Sequence, residues 1–276
     1  MLRRQLFNDM SGEFVTGKFN LKISGEPLTL EMTVPLEPVK PQRMLPVIQS
    51  ITSQIIDICS DAVKADGKEI SCKAGCGACC RQPVPISRAE AFHLAELVEA
   101  MPEPRRSDVK QRFAESLSRF REIGWFERFE DLLALVESGS PEFKAKDYMD
   151  LTNEYMQQAL DCPFLEDQSC SIHPDRPIIC REYLVTSPAE MCTAPTPETI
   201  ERVPVFLKAS KAVMKMDRDP RDRERSLLMA EALDHVEHST ADQAKRPGPE
   251  WAMEFISKLA DTKDAVDLTV TETGML

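Results

Sequence analysis

A chain of 276 residues with 42% hydrophobic residues can bury one large core or two smaller ones, which excludes a small scaffold that needs disulfide staples. A formal net charge of −12 repels phosphate backbones, and no Lys/Arg run offers a local exception, so nucleic acid is excluded as an expected partner. No apolar stretch is long enough for a bilayer, and Met1-Leu2-Arg3-Arg4-Gln5-Leu6-Phe7-Asn8-Asp9 has no apolar run behind its basic residues, so no membrane or signal peptide is expected. The expected location is cytoplasmic, where thiols stay reduced and clustered cysteines read as metal ligands before disulfides.

Phe19, Leu21 and Ile23 alternate with polar residues, Ser24-Gly25-Glu26-Pro27 turns, and Leu28, Leu30, Met32 and Val34 alternate again. That pattern predicts a β-hairpin over 18–34. Pro35 to Pro41 reads as a linker. Met44, Ile48, Ile51, Ile55 and Ile58 then recur at helical spacing to about Lys64. Cys59 lies beside this stripe and reads as a small buried hydrophobe.

Ser87-Arg88-Ala89-Glu90 is a capping box, so a helix starts there and runs to about Met101. His93, within it, reads as an ordinary core or surface histidine. A long helical region over about 107–137 carries Phe113, Leu117, Phe120, Ile123 and Phe126, with Gly124 as a bend. Ser140-Pro141 is expected to start the next helix, with Tyr148, Leu151, Tyr155 and Leu160 as a core stripe. Three more helices are expected over 198–216, 221–238 and 248–262, separated by Asp219-Pro220 and Pro247-Gly248-Pro249. His235 and His238 share a helical face that reads as solvated. The tail after about Lys263 is expected to fray.

Eight of the nine cysteines fall into two groups. The first is Cys72-x-x-x-Cys76-x-x-Cys79-Cys80. Such short loops let thiolates turn inward onto one centre, and Gly75 and Gly77 fit backbone that wraps a metal at positive φ. Adjacent Cys79 and Cys80 diverge and do not readily serve one small ion. One binds a first centre while the other faces a second, or pairs with the downstream group. That second group is Cys162, Cys170, Cys180 and Cys192. Phe164 and Leu165 feed a tight turn that puts Cys162 and Cys170 across a small hairpin, like half a zinc ribbon. Four thiolates on one Zn²⁺ leave a net −2. Lys73, Arg81, Arg176 and Arg181 stand ready to neutralise that excess, Arg176 and Arg181 most closely. With eight thiolates, His173 is not needed as a ligand.

At these residues the chain resembles the YkgJ-type cysteine-cluster family, described as a zinc- or iron-chelating domain. The matching pieces are Cys72-x-x-x-Cys76-x-x-Cys79-Cys80, Cys162-Pro163-Phe164-Leu165, Cys170-Ser171-Ile172-His173-Pro174-Asp175-Arg176-Pro177 and Cys180-Arg181-Glu182-Tyr183, with Cys192 as the eighth cysteine. The family commonly carries an aromatic at the position of His173. The resemblance spans roughly residues 70–192. One related group is described as a flagellin lysine N-methylase, but this chain shows no Gly-rich loop to cradle a methyl donor's nucleoside. The Cys72, Cys76, Cys79 spacing also matches the [4Fe–4S] triad of radical S-adenosylmethionine enzymes, although Ala78 replaces their usual aromatic and strands are few.

The expected fold is mainly α (α+β): a helical bundle around a cysteine-ligated metal core, with a small N-terminal β-hairpin. We divide the chain into 1–40, the hairpin and linker; 41–192, the metal-binding domain with helices 88–160 inserted; and 193–276, C-terminal helices on the same domain. The expected function is to hold a zinc or iron ion, or an iron–sulfur cluster, through Cys72, Cys76, Cys79, Cys80, Cys162, Cys170, Cys180 and Cys192. The alternatives are a [4Fe–4S]-dependent redox or group-transfer enzyme, such as a protein-lysine methylase, and a metal-handling factor that docks a protein partner on its acidic helices.

Overall fold

A computed structural model of the chain describes residues 13–23, 26–216, 227–239, 243–260 and 271–275. Within them the protein is mainly α-helical, with a small hairpin at its start. Strands β1 (Phe14–Ile23) and β2 (Glu26–Pro35) pair antiparallel, from Phe14 opposite Pro35 to Ile23 opposite Glu26. The period of two sends Phe19, Leu30, Met32 and Val34 inward, all buried. Ser24, Gly25 and the side chains of Leu21, Ile23 and Leu28 lie outside the described residues.

The linker is not free of structure. Strand β3 (Pro38–Val39) pairs with Pro38 opposite Pro247 and Val39 opposite Arg246, and the Trp251 indole N–H donates to Val39 O at 2.9 Å. Helix α1 (Leu45–Ala65) buries Leu45, Ile48, Ile51 and Ile55. The buried stripe then continues through Cys59 and Val63, while Ile58 is 41% exposed. From Ile51 the inner face runs in four-residue steps through Ile55, Cys59 and Val63, and Ile58, one residue short of Cys59, falls to its side. Cys59 is therefore a core residue.

Strand β4 (Pro85–Ile86) leads into helix α2 (Arg88–Glu99), which opens with the predicted capping box. The long helical region is two helices, α3 (Arg105–Glu122) and α4 (Trp125–Glu137). Gly124, at φ 62°, breaks the chain between them instead of bending it. Helix α5 (Ala145–Gln157) begins later than Ser140-Pro141 suggests. There Ser140 Oγ accepts from Glu142 N at 3.2 Å and Ser140 O from Phe143 N at 3.1 Å, which makes a turn before the helix.

Two strands form a tight hairpin, β5 (Leu165–Glu166) and β6 (Ser169–Cys170), followed by the short helix α6 (Ile178–Glu182). Two C-terminal helices are shorter than expected, α7 (Ala209–Lys215) and α8 (Ala232–His238), while α9 (Gly248–Ala260) runs as expected up to 260; residues 221–226 and 261–262 lie outside the described residues. Residues 198–208 hold no helix; Pro204 falls among them, and Arg202 bridges to Val185 instead. Asp219-Pro220 lies outside the described residues. Strand β7 (Leu227–Leu228) pairs with β4, and β8 (Arg246–Pro247) with β3. Part of the tail expected to fray is a strand: β9 (Thr271–Met275) pairs antiparallel with β1, on the side away from β2.

Among the described residues, three apolar clusters form the interior. One joins Phe19, Leu30, Met32 and Val34 to α1, Ile178, Leu207, α7 and α9. A second gathers α2, Val109, Phe113, Phe164, Ile172 and Met229. A third holds Phe120, Trp125, Phe126, Phe129 and Leu151. Ile178 belongs to the first cluster while Phe164 and Ile172 belong to the second. The cysteine segments therefore lie along the seam between two cores.

Candidate metal centre

The first cysteine segment is a run of tight turns. Cys76 N donates to Lys73 O at 3.1 Å and Cys80 N to Gly77 O at 3.0 Å. Gly75 sits at φ +84°, as expected of backbone that wraps inward. Gly77 has no positive φ; it is glycine because space is missing. A Cβ there would meet Leu165 Cδ1 at 2.5 Å and Gln168 O at 2.6 Å. The first cysteine loop thus lies directly on the β5–β6 hairpin.

That hairpin is the predicted tight turn, with Leu165 opposite Cys170 and Glu166 opposite Ser169. Its two loop residues, Asp167 and Gln168, both take positive φ (49° and 57°), the conformation of a two-residue turn matched to strand twist. Cys162 N donates to Cys80 O at 2.7 Å, which joins the two cysteine groups through the backbone.

Cys180 rides on α6, which two buried carboxylates hold at its ends. At the front, Ile178 N donates to Glu90 Oε1 at 2.8 Å, while Glu90 Oε2 accepts from Ser87 N at 2.7 Å and Ser87 Oγ at 2.8 Å. At the back, Glu182 accepts from Ser210 N at 2.9 Å and Ser210 Oγ at 2.5 Å. Sequence reasoning found Glu90 only as a cap and missed Glu182; the capping box was the one available signal. Cys192 is 3% exposed in a 3₁₀ turn, Ala189–Thr193. Gln82 Nε2 donates to Cys192 O at 3.0 Å and to the Tyr183 hydroxyl at 3.2 Å.

Cys79 is the thiol around which the others gather. It acts electrostatically on Cys72, Cys162, Cys170, Cys180 and Cys192, and it is hydrogen-bonded to Cys80. Burial pushes the thiols of Cys72, Cys162, Cys170, Cys180 and Cys192 above their ordinary range. Cys79 is pushed up first by its hydrogen bond with Cys80 and then by burial. Half-buried thiols held in their neutral form must give up those protons to any metal that binds them.

The cations divide by role. Arg176 faces Cys72, Cys79, Cys170 and Cys180 and favours their thiolates. Its Nε is buried and has no hydrogen-bond partner among the described residues, while its terminal nitrogen abuts His173 Nε2. Arg181 donates to Pro174 O and Arg176 O, so it shapes this loop, and it also favours the Cys170 thiolate. Arg81 pairs with Asp161 at 2.8 Å, and Lys73 is exposed. His235 packs edge-on to Phe92, and His238 Nδ1 lies 2.9 Å from Asp234 O.

Among the described residues, no three Cys, His, Asp or Glu side chains are arranged ready to hold an ion. The fit lies in the donor set: sulfurs from four segments, Cys192 buried and the others half-buried, beside a guanidinium whose Nε–H has no partner among the described residues. All-sulfur donors suit zinc and iron.

Residues 71–198 match the family model CxxCxxCC, described as a "putative zinc- or iron-chelating domain", and this is the cysteine-cluster family that the sequence resembles. The matched stretch contains all eight clustered cysteines. No curated protein and no solved structure matches the chain.

Proposed function

We propose that this chain, which carries a CxxCxxCC-family domain over residues 71–198, holds zinc or iron on thiolates drawn from both of its cysteine groups. The observation that supports this is the gathering of Cys72, Cys162, Cys170, Cys180 and Cys192 around Cys79. The loop 72–80, the β5–β6 hairpin, α6 and the turn 189–193 bring the sulfurs. Arg176 offsets the excess negative charge of thiolates on a divalent ion and offers its Nε–H to a sulfur. The bound ion supplies a cross-link between segments distant in sequence, so its binding free energy adds to folding.

Elemental analysis of protein purified without air tests this. At least one equivalent of zinc or iron per chain is expected; less than one of any transition metal ends the reading. An ultraviolet–visible spectrum identifies the metal. A colourless zinc protein is a thiolate site, whereas a brown protein bleached by dithionite carries an iron–sulfur cluster.

A further inference from the structure

We infer that the centre holds two metal ions and that its ligands regroup across the sequence: Cys72, Cys76 and Cys192 bind one, Cys162, Cys170 and Cys180 bind the other, and Cys79 bridges them. This rests on the metal-binding reading above.

The backbone sets the regrouping. Ser71, next to Cys72, donates its N–H to Val185 O at 2.9 Å and its Oγ–H to Thr186 O at 3.2 Å. Gln82 reaches Cys192 O and Tyr183. The 183–192 segment is thereby fastened to the first cysteine loop at both ends, and Cys192 comes with it. The opposite side of the same loop lies on the hairpin, through Gly77 against Leu165 and Gln168 and through Cys80 O accepting from Cys162 N. The turn 77–82 is thus a wedge between the two sets, and Cys79 is in its middle. The thiol neighbourhoods agree. Cys192 is acted on by Cys79, Cys72 and Cys76, and Cys162 by Cys180, Cys170 and Cys79. Cys79 is the member common to both.

Three private thiolates plus one shared thiolate give each ion four sulfurs, the full tetrahedral complement of zinc. Seven thiolates on two divalent ions carry a net −3, and each thiol loses its proton to solvent as its bond to metal forms. Arg176 favours the thiolates of Cys72 in one set and of Cys170 and Cys180 in the other, so one guanidinium serves both ions. Cys80 is the eighth, and its side chain stays beside that of Cys79 instead of diverging from it as their adjacency suggests. It hydrogen-bonds Cys79 and lines a small cavity with Tyr155 and Cys162. It orients the bridging sulfur and does not ligate.

The test loads the full chain, stripped under reducing, anaerobic conditions, with zinc ion alone and counts zinc after gel filtration. Two per chain are expected, one in Cys192→Ser, one in Cys180→Ser and two in Cys80→Ser, with circular dichroism to confirm folding. Cobalt(II) in place of zinc reads the bridge. Its paramagnetic signal should rise to one equivalent, fall at the second as the ions couple, and stay uncoupled in Cys79→Ser. One zinc in the wild type, loss of both ions in Cys192→Ser, or loss in Cys80→Ser to the level of Cys180→Ser each overturns the division while metal binding stands. So does iron found at four per chain with sulfide. Failure to bind zinc or iron at all overturns the metal-binding reading itself. If Cys180→Ser does not fold, the wild-type count and Cys80→Ser still decide.

Discussion

Gly77 is where the two cysteine groups touch, and a single methyl group tests that contact. In Gly77→Ala the new carbon meets Leu165 Cδ1, which can rotate, and Gln168 O, which is backbone and cannot. The hairpin must shift, at about 1–3 kcal/mol. Gly75→Ala has open space but a φ of +84°, so it costs about 1–2 kcal/mol through the backbone alone. Both variants should lower the unfolding midpoint, yet only Gly77→Ala should also weaken zinc in a chelator competition. Equal metal affinity in the two would refute the contact as a determinant of the site. His93 gives a second test at this scale. It is 8% exposed, and its Nε2 has no partner among the described residues. Burial lowers its pKa, Arg43 and Arg181 push the same way, and Asp175 and Glu96 oppose without prevailing. The folded chain therefore binds fewer protons here than the unfolded chain. The contribution is fully present above about pH 6.5 and is lost as pH falls below it. In chelator, so that ligand protonation does not intrude, the wild type should lose more stability from pH 7 to pH 5 than His93→Leu does. Equal losses in denaturant melts would refute it.

Among the elements, α6 shows how a five-residue helix is made rigid enough to hold Cys180 in place. It is too short to be stable alone. Glu90 of α2 accepts from its first residue, Ile178, and Ser210 of α7 donates to its last, Glu182. Glu90→Gln keeps the size but leaves one acceptor oxygen for donors at Ser87 N, Ser87 Oγ and Ile178 N, so an amide NH₂ must face an N–H. A loss of about 1–3 kcal/mol is expected in denaturant unfolding, with weaker metal binding because Cys180 is no longer fixed. A variant as stable and as metal-tight as the wild type would refute the anchoring. The same residue marks what the sequence makes legible. Ser87 and Glu90 are three residues apart, so their box is written locally. Ile178 is 88 residues from Glu90, and no local pattern announces that bond. The β5–β6 hairpin was readable because Phe164, Leu165 and the turn lie together. The pairs β3–β8 and β4–β7 were not, because strands of two residues have no alternation to read. Ser140-Pro141 misled because a serine that bonds its own turn looks like a helix cap.

For the molecule as a whole, the decisive arrangement is a sulfur site on the seam between cores that are complete without it. The cluster of Phe19, α1, α7 and α9 and the cluster of α2, Phe113 and Phe164 each bury large side chains. Phe113 and Phe164 meet edge-to-face at 5.4 Å, and Trp251 is fully buried. None of that packing needs a metal, in contrast to zinc fingers, whose small cores do not fold alone. Helical periodicity made the helices readable, but not that the N-terminal hairpin and the C-terminal helices share one core, since contacts between distant faces are not encoded in a local pattern. Metal removal should therefore lower stability without abolishing structure. A ligand present at a thousand times its dissociation constant adds about 4 kcal/mol, which for a chain of this length is about 10 °C in the unfolding midpoint. Chelation should produce a fall of that order while the helical far-ultraviolet signal at 25 °C stays as it was. The loop 72–80 should become the first site of limited proteolysis, since its ties to the hairpin and to Cys192 would have lost their common anchor. Collapse of the helical signal on chelation would show that the metal nucleates the fold. An unmoved midpoint would show that the seam closes without it.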